Sequence, residues 1–143
     1  MVSHASRGWA VAAGIVYGAT AVGLVLALGI PSDDSFFGPL VVGAVLSALV
    51  IGGVSWYFLV ERADENPVVY AGISGLLTGG FSHAGMWAVE AGWRTVTTGD
   101  LFHLLGWPFV IPLSLFTVGV ITIPLAGLVG TLFGVSRMLV TRD

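Results

Sequence analysis

Four long apolar runs separated by short polar intervals dominate the chain. Each is at least as long as the roughly 20 residues that a helix needs to cross a hydrocarbon core of about 30 Å. Helix 1 is expected over about 9–30 and stops at Pro31, which lacks a backbone donor and clashes with the preceding turn. The polar stretch Ser32, Asp33, Asp34, Ser35 offers caps for helix 2, expected over about 37–60. Beyond Glu61, Arg62, Ala63, Asp64 and Glu65, the pair Asn66-Pro67 reads as a cap followed by proline in the first turn of helix 3, about 67–93. Residues 94–99 form the longest polar interval. Asp100 then caps a short interfacial helix, about 101–107, before Pro108 and Pro112 break or bend the path. The last run, about 109–140, would measure about 48 Å if straight. Tilt, or a kink at Pro124, is therefore expected. The predicted fold is all-α: a single polytopic membrane domain over 1–143, built as a four-helix transmembrane bundle.

Composition supports membrane residence and removes several function classes. The chain is 56% hydrophobic and only 9% charged, against about a quarter charged in ordinary soluble domains. The first run lacks the short apolar core and small-residue cleavage site of a removable signal, so it reads as a retained helix. With no cysteine there is no disulfide, thiolate metal site or cysteine nucleophile. Five arginines, no lysine and a net charge of −3 give neither an electrostatic footprint for nucleic acid nor a polybasic lipid-binding tail. A lysine-free chain with Asp33, Asp34, Asp64, Glu65, Asp100 and Asp143 in its loops and tail resembles halophilic archaeal proteins in composition, not in family. Placing both termini in the cytoplasm puts Arg7, Arg62, Arg137 and Arg142 inside and only Arg94 outside, as the positive-inside rule asks of a multi-pass protein of the cell membrane.

Packing signals are plainer than chemical ones. Gly14 with Gly18, Gly75 with Gly79, and Gly130 with Gly134 are small-xxx-small pairs that let helix backbones approach closely. Packing within one bundle is the first expectation for them, and contact between copies of the chain the second. Trp9, Trp56, Tyr57, Trp93 and Trp107 fall near helix ends, as an interfacial belt would require.

His83 and Glu90 sit seven residues apart on helix 3, hence on one face, and an ionisable group within a bilayer invites a functional explanation. If the helix enters the hydrocarbon near Val68, His83 lies about 22 Å along it and Glu90 about 33 Å. Glu90 is then near the outer interface, where Arg94, four residues on, makes a natural partner. His83 is deeper and requires at least one interhelical hydrogen bond, or else a role in proton relay or ligand contact. Trp87, one turn away, could wall a small pocket beside it. Asp100 and His103 complete the polar groups of a hypothetical ligand or ion path. A metal site would need the loop after helix 3 to fold back so that His83, Glu90, Asp100 and His103 converge, so neither metal nor cofactor is expected. The cluster Glu61, Arg62, Asp64, Glu65 reads as a solvated loop. No HExxH, catalytic triad or phosphate loop is present. The expectation is a membrane protein without catalytic activity that self-associates or serves as an accessory subunit, with lipid and other membrane chains as partners. The alternative is a small oligomeric transporter or channel, with His83 and Glu90 lining an outward-facing path.

Overall fold

A computed structural model describes residues 4–29, 37–63 and 65–141. Among these residues all the regular structure is helical: α1 (His4–Ala27), α2 (Phe37–Leu59), α3 (Pro67–Thr98), α4 (Phe102–Ser114), a π-helical turn (Leu115–Gly119) and α5 (Val120–Val140). Three stretches, Ser6–Ala27, Gly38–Leu59 and Phe102–Val140, are long and apolar enough to cross a membrane. The expected stop at Pro31, the caps at 32–35, and Asp64, Arg142 and Asp143 lie outside the described residues.

Helix ends follow local chemistry. Asn66 stands before α3 in the left-handed region at φ 51°, without a side-chain cap bond, and Pro67 opens the helix. Asparagine tolerates that conformation better than most residues. At the other end Gly99, at φ 74°, donates its N–H to the Thr95 carbonyl, a left-handed C-cap that glycine adopts without steric cost. The helix passes its expected end near residue 93 because Thr97 and Thr98 return their hydroxyls to the carbonyls of Trp93 and Arg94. Those side chains therefore need no loop to satisfy them.

The short interfacial helix expected over 101–107 is not a separate element. Helical backbone runs without a break from Phe102 to Val140, through Pro108, Pro112 and Pro124. Each proline removes a donor from the ladder, and the local accommodation is the wider turn at Leu115–Gly119 rather than a chain break.

α3 is the central helix, packed against α2, α4 and α5, while α1 packs on α2 and more lightly on α5. All three glycine pairs lie within this bundle. A Cβ added at Gly14 would stand 2.6 Å from the Leu49 carbonyl, at Gly75 2.1 Å from that of Ala126, and at Gly130 2.3 Å from that of Ala71. Gly18, Gly79 and Gly134 face Leu49, Ile123 and Ala71 respectively. Backbone approach this close is the reason for glycine at these positions.

The end of the bundle that holds the start of α1 and the end of α5 is tightly filled. Trp56, placed by sequence in an interfacial belt, is instead fully buried, its ring 5.0 Å from that of Phe133, which also meets Trp9. Glu61, expected in a solvated loop, is likewise enclosed, with its side chain only 2% exposed. Its N–H bonds back to the Trp56 carbonyl, which folds the chain over the indole. One carboxylate oxygen accepts from Trp56 Nε1 and the other from Arg137 Nη2, both at 2.9 Å. This tryptophan–carboxylate–arginine set ties α2 to α5. Arg62 is exposed and lies over the Tyr57 and Phe58 rings.

Candidate functional site

His83 lies on the face of α3 turned toward the last helical stretch and is 6% exposed. Its Nδ1 is 2.6 Å from Ser114 Oγ and its Nε2 2.8 Å from Thr122 Oγ1. The deep histidine thus has two interhelical partners. Ser114 and Thr122 flank the π turn. In an uninterrupted α-helix, residues eight apart diverge by about 80°, whereas the residue added by the π turn brings them to nearly the same face. Each hydroxyl can donate or accept, so either neutral tautomer is served, and an imidazolium could donate to both.

A Ser–His contact suggests nucleophilic chemistry, but the second ring nitrogen meets a threonine hydroxyl instead of a carboxylate. It therefore lacks the anion that holds and stabilises the imidazolium in a serine-hydrolase triad. The arrangement is suited to joining helices and to passing or holding a proton.

Beside His83 is a cavity of about 460 Å³ bordered by all four long helical stretches. Leu24 of α1 and Leu28 just after it, Leu40 and Ala44 of α2, Trp87 of α3 and Leu113 of α4 represent its mainly apolar wall. Its deeper end is at Tyr17, whose ring fits against Gly52 and whose hydroxyl faces Gly130, so that a Cβ at either glycine would collide with it. Ser82 and Trp87 also line the cavity, and both Ser82 Oγ and Trp87 Nε1 are buried without a hydrogen-bond partner. Thr78, another lining residue, bonds to Ser55 at 3.1 Å, and Ser55 to Ser74 at 2.8 Å. Hydroxyl groups thus continue from the cavity wall toward the tightly packed end.

The other expected site residues are dispersed. Glu90 is buried and paired with Arg94 on its own helix, but neither lines the cavity. Asp100 accepts from the Phe102 N–H at 2.8 Å and so caps α4. His103 is half-buried near the start of α4 and away from the cavity lining. Among the described residues no three histidine, aspartate or glutamate side chains are placed to hold a metal ion.

Sequence reasoning missed Ser114 and Thr122 because an isolated hydroxyl in an apolar helix can bond its own i−4 carbonyl, as Thr20 and Thr131 do here. Ser74 and Thr78 carried a usable signal: their spacing of four places two hydroxyls on one face of α3. No family model matches the chain, and no curated protein or solved structure shows significant similarity to it.

Proposed function

We propose that the chain is a non-enzymatic four-span membrane protein, with both termini cytoplasmic, that acts as a binding unit in the bilayer, alone or as a subunit of a larger membrane complex. The observation that carries this reading is the cavity among the helices. Its 460 Å³ falls within the roughly 300–1,000 Å³ of small-molecule sites, and its mostly apolar wall with a few convergent polar groups is their usual make-up. The glycine pairs already serve packing within one copy, so association with further chains would use the exposed apolar faces, such as that of Phe109 and Phe116 on the last stretch. The arginines support the orientation: Arg7, Arg62 and Arg137 are at one end of the helices and Arg94 is at the other.

Purification in mild detergent, with particle mass measured before and after organic extraction, tests this. A co-purifying lipophilic molecule or membrane subunit is expected, and a bare monomer carrying neither would sink the reading. A transport role is the second reading, favoured by the hydroxyls that lead inward from the cavity wall and by His83 partners that suit either protonation state. In proteoliposomes, pH-dependent fluxes that survive both His83→Ala and Glu90→Gln would dispose of it.

A further inference from the structure

We infer that the cavity takes up a neutral lipophile: a largely hydrocarbon molecule with a hydrogen-bond-accepting oxygen, such as a long-chain alcohol or ketone, drawn sideways from the bilayer between α1 and α4. This rests on the binding-unit reading above and specifies what is bound and how it arrives. Three observations carry it.

The first is the opening. α1 and α4 each border the cavity, yet they make little contact with one another, because α1 is held by α2 and α4 by α3. Leu28, just beyond the end of α1, and Leu113 on α4 both line the cavity and are both exposed. A gap edged by such residues along membrane-length helices favours a solute already dissolved in hydrocarbon.

The second is charge. Among the described residues, none that lines the cavity is an aspartate, glutamate, lysine or arginine, and both nitrogens of His83 are engaged. A phosphate, carboxylate or quaternary ammonium would be desolvated there without a counter-ion, which is strongly unfavourable. That leaves an uncharged molecule.

The third is the unsatisfied atoms of the lining, which besides Tyr17 Oη are two on α3. Trp87 Nε1 can only donate, while Ser82 Oγ can donate or accept; both are buried at the lining without a protein partner. Buried polar atoms are normally satisfied, and an oxygen on the occupant would satisfy the indole. In capacity the cavity is roughly three times the ~150 Å³ that admits benzene, room for on the order of 18 carbon atoms.

The test uses the whole chain in nanodiscs of one saturated phospholipid with three tritiated probes of equal length: octadecanol, octadecane and, above neutral pH, octadecanoate. Saturable one-to-one binding of the alcohol is expected, with the alkane weaker and the carboxylate weakest. Ala44→Phe, which fills the cavity, should abolish saturable binding. Trp87→Phe, which keeps a ring but removes the donor, should weaken the alcohol by about 5–10-fold and leave the alkane unchanged. A thermal melt of each variant separates loss of a site from loss of fold. Equal binding of alcohol and alkane, or no effect of Trp87→Phe, overturns the oxygen contact while leaving a binding cavity. Preference for the carboxylate overturns neutrality. Retention of a phospholipid chain that octadecanol does not displace overturns the free lipophile. Absence of any saturable probe, and of any co-extracted molecule, defeats the binding-unit reading itself.

Discussion

At the scale of single residues, the polar groups of α3 are held by partners of unequal value. Interhelical hydrogen bonds in membranes contribute about 0.6 kcal/mol each on average, so the two at His83 plus the packing of its ring predict a loss of about 1–2 kcal/mol for His83→Ala. Thermal denaturation in detergent measures it, and an unchanged midpoint would show that Ser114 and Thr122 are not real partners. Glycine gives a sharper contrast. Gly75→Ala drives a methyl into the Ala126 carbonyl, whereas at Gly80 no neighbour lies within 4 Å. The first should destabilise by about 2 kcal/mol or more and the second by less than about 0.5 kcal/mol. The need of His83 for a partner was legible in the sequence, since an imidazole that deep in hydrocarbon requires one. Which hydroxyls would answer was not, because that depends on how two helices are rotated against each other. Glu90 with Arg94 was fully legible, being a contact within one helix.

At the scale of elements, the π turn sets the phase of the last helical stretch. Removing Val118 from Leu115–Gly119 would take out the added residue and leave regular α-helix, in which Ser114 and the threonine then seven positions on still share a face. Both hydroxyls could still meet His83. The deletion should therefore cost less than His83→Ala, and the two losses should add. A loss as large as that of His83→Ala, or clear non-additivity in a double-mutant cycle, would show that the wider turn itself is needed for the contact. The far end of the same stretch is anchored separately by Arg137 on Glu61. Breaking a buried pair from one side costs about 3–5 kcal/mol, and since Arg137 is 20% exposed, about 2 kcal/mol is expected for Arg137→Gln in the same melt. Sequence patterning located these helices but misread their joints. Consecutive prolines look like chain breaks when single positions are weighed, although a wider turn can absorb them. A charged loop looks solvated until the chain folds Glu61 back over Trp56.

At the scale of the molecule, α3 decides the topology. The three stretches apolar enough to cross a membrane do not include it, and the reason lies in its neighbours. Packed against α2, α4 and α5, α3 directs Ser74, Thr78 and His83 at protein, and a helix shielded in this way tolerates side chains that lipid would reject. Hydropathy alone would give three crossings; burial argues for four. Because the chain has no cysteine, single cysteines introduced by Ala63→Cys, Thr98→Cys and Thr141→Cys can each be labelled without background. If all four stretches cross with both termini cytoplasmic, a membrane-impermeant maleimide applied to intact cells reaches position 98 alone, and positions 63 and 141 react only after permeabilisation. If α3 does not cross, positions 63 and 98 share a side and 141 takes the other. Labelling of 63 and 141 but not 98 would keep the four-span bundle and reverse its orientation, so that the unshared Arg94 end, rather than the end holding Arg7, Arg62 and Arg137, faces the cytoplasm.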